Sequence, residues 1–292
     1  MKFLLRIVCL AVTLSSCQKS STTGEDVKVS AAYEKARNEF FSNLKEPVEA
    51  AAQLAATGAA FQPNLMSDPV NFASYTGNKV SAAMNLGIYL ADLNYSVAYR
   101  QSENTKDLFG AAYELSKTIG IEDRVLGFLM TRYHEHISHN DSVAAVLNEL
   151  FEKSIGGLQG TKEEKLAGIA IAAYQVENLH LALGVIESYP KDLLPGDATI
   201  QILAPLYRLV LDQQQNIETI LAFLNAIVDP LDPDQNPNYP YYASALQGLI
   251  DVYKRLDFEE RLASGRAHEL MNDAVVQELH QKVSVIRNKM ME

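Results

Sequence analysis

The sequence predicts an all-α protein, a single multi-helix bundle with two central, nearly all-apolar helices. Three observations predict it. Apolar residues recur three and four apart through most of the chain, no stretch alternates cleanly with period two, and two segments, 79–101 and 166–186, are apolar around most of their circumference. The 292 residues are 48% hydrophobic and 21% charged, enough apolar surface for a large core, and only two are cysteine. That composition excludes a disordered chain, a collagen-like chain and a disulfide scaffold.

Each helix has its own signals. Segment 31–45 places Ala32, Ala36, Phe40 and Leu44 on one face, and Pro47 starts or kinks a second, alanine-rich segment that ends at Gly58. Asn78 can cap 79–101, which Val80, Met84, Leu86, Ile88, Leu90, Leu93 and Val97 make apolar nearly all round. A helix over 105–119 ends at Gly120-Ile121, a left-handed residue followed by an apolar contact. Helices over 122–139 and 143–155 come next, the second capped by Asn140, Asp141 and Ser142. Thr161 with Glu164 forms a capping box ahead of 166–186, and Pro190 and Pro195 end that segment. Helical spacing resumes over 198–212, with a kink expected at Pro205, and again over 217–228. A loop at 229–240, broken by Pro230, Pro233, Pro237 and Pro240, precedes helices over 241–256 and 266–290. No fixed period recurs, which favours a closed bundle over a solenoid.

The first seventeen residues carry an address. Lys2 and Arg6 give positive charge, residues 3–14 form a short apolar run, and Leu14-Ser15-Ser16-Cys17 follows it at once. The run is shorter than the roughly 20 residues a permanent span requires. The tetrapeptide resembles a bacterial lipobox. That resemblance implies a signal peptide over 1–16, cleavage before Cys17, and acylation of Cys17 with diacylglycerol and palmitate-type chains, so that membrane lipid is its partner. Cys9 leaves with the signal, so no intrachain disulfide can form. Loss of Lys2 and Arg6 leaves 23 basic against 36 acidic residues, a net charge of −13. Such a field repels polyanions, so nucleic acid is excluded as a partner. Residues 17–30, rich in Ser and Thr, read as a flexible tether, and 31–292 as the helical domain.

The run Asn85-Leu86-Gly87-Ile88-Tyr89-Leu90-Ala91-Asp92-Leu93-Asn94-Tyr95 resembles a signature of uncharacterised helical lipoproteins of Bacteroidota. Glu177-Asn178-Leu179-His180-Leu181 and the ending Val285-Ile286-Arg287-Asn288 resemble the same family, although His180 stands where an aromatic residue is expected. The resemblance covers most of the mature chain. It implies an all-helical fold and an envelope location, and no activity. Surface export in such lipoproteins goes with an acidic run after the cysteine. Gln18-Lys19-Ser20-Ser21 lacks one, which favours a domain on an outer membrane facing the periplasm.

Candidate chemistry lies where polar residues interrupt the apolar helices. Asn85, Tyr89, Asp92, Ser96 and Tyr99 advance by four, three, four and three, so they share one stripe. Tyr174, Glu177 and His180 share a face of the other central helix, and Arg132 is a candidate counter-charge. Two readings stay open: a pocket in which Asn85, Tyr89, Asp92, Arg132, Glu177 and His180 bind a ligand, or a closed network that fixes helix register. Glu177-x-x-His180 is half of a di-metal carboxylate motif, and the other half is missing. His134, His136 and His139 fail the zincin spacing, and Asp232, Asp234 and Asn236 open a calcium loop that Pro237 breaks. Residues 156–162 lack the order of a phosphate loop, and no nucleophile elbow occurs. The sequence therefore points to no cofactor and no metal. It leans away from catalysis, towards a domain that binds an unknown protein or small molecule, with a ligand-free structural protein or a metal enzyme at Glu177 and His180 as the alternatives.

Overall fold

The computed structural model describes residues 24–43, 49–123, 155, 158, 161, 163–189, 196–227 and 238–292, and among them it is all α with no strand. The helices are α1 (Gly24–Asn43), α2 (Glu49–Ala56), α3 (Lys79–Ala98), α4 (Ser102–Ile119), α5 (Glu164–Ser188), α6 (Gly196–Ile227), α7 (Asn238–Tyr253), α8 (Phe258–Ala263) and α9 (Ala274–Met290). Short 3₁₀ turns at Pro63–Leu65, Pro69–Tyr75 and Ala267–Asn272 lie between them. Residues 124–154 of the expected helices over 122–139 and 143–155, with Arg132, His134, His136 and His139, lie outside the described residues, as do Cys17 and the loop residues Asp232, Asp234 and Asn236.

The two apolar segments are α3 and α5, and they pack on each other at the centre. From Ala82 to Ser96 every residue of α3 is buried, and α5 is buried over nearly its whole length. α5 is long and apolar enough to cross a membrane, yet 94% of its most apolar window is buried inside the bundle, as befits a core helix. α4 covers α3, α6 covers α5, and α1 lies outside α6. α7 packs on α6, and α9 closes the bundle against α5 and α7.

Two glycines set the central spacing. A Cβ on Gly87 would lie 2.0 Å from the Ala170 carbonyl oxygen, so α3 meets α5 backbone to backbone. A Cβ on Gly168 would lie 2.3 Å from the Phe223 ring, which occupies that notch and stacks on Phe40 of α1 at 4.3 Å between centroids. One aromatic ring thus joins three helix layers.

Helix ends follow the signals in part. Asn78 accepts a bond from Ser81 N–H at 2.8 Å as the cap of α3. Gly120 closes α4 at φ 87°, with Gly120 N–H bonded to Lys117 O and Ile121 N–H to Ser116 O, the paired bonds of a Schellman motif. The Thr161–Glu164 capping box needs correction. Thr161 Oγ1 accepts from Glu163 N–H, and the Glu164 carboxylate accepts from Tyr33 O–H and Arg37 Nε, tying α1 to the start of α5.

Other boundaries also move. α1 starts at Gly24 and takes in 24–30, which composition assigned to a tether. The segments 198–212 and 217–228 are one helix, because Gln213, Gln214, Gln215 and Asn216 between them include no breaker. Pro205 sits inside it. α7 begins before Tyr241, since Pro240 in a first turn gives up an N–H that has no helical partner. The C-terminal helix over 266–290 is divided at Asp273, whose carboxylate caps α9 through Val275 N–H at 2.7 Å.

Gly87→Ala is expected to lose about 1–3 kcal/mol or more in urea denaturation, because the added methyl meets backbone. Gly110→Ala on α4, where a Cβ meets nothing within 4 Å, is expected to gain about 0.5–1 kcal/mol.

Candidate functional site

Asn85, Tyr89, Asp92 and Ser96 of α3 are buried and Tyr99, which follows the helix, is half-buried; these residues bond in different directions. Asn85 donates to Met290 O at the end of α9 at 3.2 Å, and Tyr89 donates to Asp68 O at 3.0 Å. Ser96 meets Thr105 Oγ1 at 2.9 Å and donates to Gln101 O, fastening the turn into α4. Tyr99 reaches Leu54 O of α2. Tyr174, expected beside Glu177 and His180, accepts from Asn94 Nδ2 at 2.6 Å, a bond between the two central helices. The stripe is a set of separate ties.

Asp92 and Glu177 do come together. Both side chains are wholly buried, and they lie within hydrogen-bonding reach of each other across the α3–α5 contact. Asp92 Oδ2 accepts from Ser67 N–H at 2.9 Å, and Glu177 Oε2 accepts from Arg287 Nε at 2.5 Å. Arg287 Nη2 extends to Ser67 Oγ at 2.9 Å and to Leu65 O at 3.4 Å. Four parts of the chain therefore converge: α3, α5, α9, and the connection between α2 and α3.

Arg132 lies outside the described residues; among them the counter-charge is Arg287. Its side chain is 11% exposed while that of Glu177 is 0% exposed, so the pair is shielded from solvent. Burial acts to lower the guanidinium pKa, and the charge and hydrogen bond of Glu177 more than reverse it. Asp92 is held well above the usual carboxylate range, first by burial and then by the neighbouring Glu177 charge, against the opposing pull of Arg287. Asp92 Oδ1 and Glu177 Oε1 are buried and accept no hydrogen bond from the described donors.

His180 sits at the edge of the cluster. Its ring bonds the Leu65 carbonyl, its Nδ1 is buried without a partner, and burial lowers its pKa. His280 of α9 lies 6.4 Å away between ring centroids and reaches Glu187 at 3.1 Å. Among the described residues no three His, Cys, Asp or Glu side chains group as metal ligands. On the outer face a groove of about 390 Å³ runs between α7 and α9, with Tyr241 and Val285 exposed on its lining.

Arg287, Ser67 and Leu65 were not legible as partners of the carboxylates. Arg287 carries one available signal: it adjoins the buried α9 positions Val283, Ile286 and Met290, where a cation needs an anion. Ser67 and Leu65 act partly through backbone atoms, which no side-chain pattern records. Comparison with family models, with curated proteins and with solved structures finds no match to this chain.

Arg287→Met is expected to cost about 3–5 kcal/mol in urea denaturation, because Glu177 is left buried without its cation. Combining it with Glu177→Gln should recover part of that loss, giving a double-mutant cycle with clear non-additivity.

Proposed function

We propose that this chain is a lipid-anchored bacterial envelope protein whose helical domain has a non-catalytic binding or interaction role. The observation that carries the location is the sequence Leu14-Ser15-Ser16-Cys17 at the end of a short charged and apolar leader. Cys17 would bear the lipid, the outer membrane would hold it, and the domain would face the periplasm. The similarity of 85–95, 177–181 and 285–288 to helical Bacteroidota lipoproteins supports the same reading.

The non-catalytic role is supported by the bonding of the buried polar groups. Asn85, Tyr89, Asp92 and Glu177 bond to groups of this chain, and all four are wholly buried. A catalytic site needs its acid and base within reach of a substrate proton. The groove between α7 and α9 supports an interaction role, since exposed Tyr241 and Val285 offer apolar contact to a partner. The same internal bonding equally supports the second reading, a structural envelope protein without a ligand. A metal enzyme at Glu177 and His180 finds less support, because Glu177 is committed to Arg287.

The location is tested by expressing the full chain in a diderm bacterium fed an alkyne-tagged palmitate. The wild type should take up label and fractionate with membranes, and Cys17→Ser should lose both; a labelled or membrane-bound Cys17→Ser protein would refute the anchor. Native mass spectrometry of the chain from residue 17, with Cys17→Ser, then separates the two roles. A mass lost on denaturation establishes a ligand, and an unaltered mass favours the structural reading.

A further inference from the structure

Among the described residues the charges at the centre of the bundle do not balance. Two carboxylates, Asp92 and Glu177, share one guanidinium, Arg287, in a place where each is enclosed by protein. A second full negative charge is very costly in such a buried place. The hydrogen bonds divide the two acids. Glu177 Oε2 takes the charged donor Arg287 Nε, and Asp92 Oδ2 takes a neutral backbone donor, Ser67 N–H. The remaining oxygens, Asp92 Oδ1 and Glu177 Oε1, are the two buried acceptors of the cluster left without a donor. The acids are within hydrogen-bonding reach of each other. Two neighbouring carboxylates repel when both are ionised, and one proton shared between them removes the repulsion, can satisfy both oxygens and brings the described cluster to neutrality.

We propose that Asp92 and Glu177 hold one proton between Oδ1 and Oε1, and that this proton is the condition on which Arg287 keeps α9 docked across the central helices. Asp92 is the acid and Glu177 the carboxylate, because Glu177 has the stronger cationic donor. When the proton leaves, it goes to solvent from Asp92. The cluster then holds two like charges against one cation, and the repulsion between Asp92 and Glu177 loosens the contact of α3 with α5 on which α9 rests. α9 loosens with it, because Arg287 ties α9 to that contact through Glu177, Ser67 and Leu65, groups whose alignment the contact sets.

The sign of the pH dependence follows. Asp92 in the folded chain keeps a proton that an unfolded aspartate releases above about pH 4. The folded state binds more protons, so stability is full below the unfolded value and falls as pH rises toward the folded one, by up to about tenfold in the closing equilibrium per pH unit. Other titratable groups face the cluster: His180 from α5, His280 from α9, Tyr89 and Tyr95 from α3, and Asp68 and Tyr75 from the connection before α3. All of them remain in Asp92→Asn, so the difference between wild type and that variant isolates the shared proton.

Infrared spectroscopy of the full chain in detergent micelles, at neutral pH in heavy water, reads the proton directly. The wild type is expected to show a buried carboxylic-acid carbonyl band, and Asp92→Asn to lack it. Glu177→Gln should lack it too, because the one remaining carboxylate then ionises against Arg287. Absence of the band from the wild type, or its persistence in both variants, overturns the proposal. Hydrogen exchange of the α9 peptide, corrected for intrinsic rate, reads the docking. Between about pH 5 and 8 the wild type should lose protection by up to about tenfold per unit, and Asp92→Asn should not. Equal slopes in the two proteins would overturn the link to α9.

Discussion

The pairing of Glu177 with Arg287 is the constraint on which the rest of this bundle depends. It lies in the interior, where a carboxylate alone would be very costly and a guanidinium alone equally so. Neither partner is free to move without leaving the other exposed to low dielectric. The apolar contacts between α3 and α5 would tolerate a shift along the helix axes, since leucine, isoleucine and alanine pack in more than one register. The ion pair and the bonds around it tolerate much less. Asn85 to Met290 O, Asp92 to Ser67 N–H and Arg287 to Leu65 O each require one alignment of α3, α5, α9 and the connection before α3. Packing supplies the bulk of the stability, and polar geometry chooses among the packings that would otherwise compete.

The close crossing at Gly87 works in the same direction. With no side chain on that residue, the two central backbones meet at Ala170. The short distance brings Asp92 and Glu177 into mutual reach, a contact that bulkier residues at the crossing would prevent. Phe223, set against Gly168, performs the equivalent task on the other face of α5 by fixing how α6 and α1 lie. Small residues set distances here, and polar residues set register.

Much of this was legible in the sequence. The helical class and the two central helices follow from spacing alone, because burial on all sides leaves a continuous apolar record. Asp92 and Glu177 were legible as candidates because charge inside such a record has to be compensated. Their partner was not. Arg287 lies 110 residues from Glu177 along the chain, and nothing in helical periodicity orders helices in space. Ser67 and Leu65 belong to an irregular connection whose contribution is a backbone N–H and a carbonyl, atoms that every residue carries. The merging of 198–212 with 217–228 was hidden for a different reason: a polar stretch of glutamines fits a loop by polarity and a helix by propensity, and tertiary packing decides. The stripe Asn85, Tyr89, Asp92, Ser96 and Tyr99 was correctly placed on one buried face, yet sharing a face did not mean sharing a site.

The burial of α5 has a consequence for biogenesis. A chain exported as proposed passes unfolded through a membrane channel that releases sufficiently apolar segments sideways into lipid, and α5 by length and hydropathy is such a segment. Glu177 stands near the middle of it, with Gln175, Asn178 and His180 close by. A carboxylate at the centre of a would-be span costs about 2.5–3.5 kcal/mol on insertion scales, enough to disfavour lateral release. The residues that align the folded core therefore also label the unfolded helix as cargo to be carried through, so that one carboxylate guards two stages in the life of the chain.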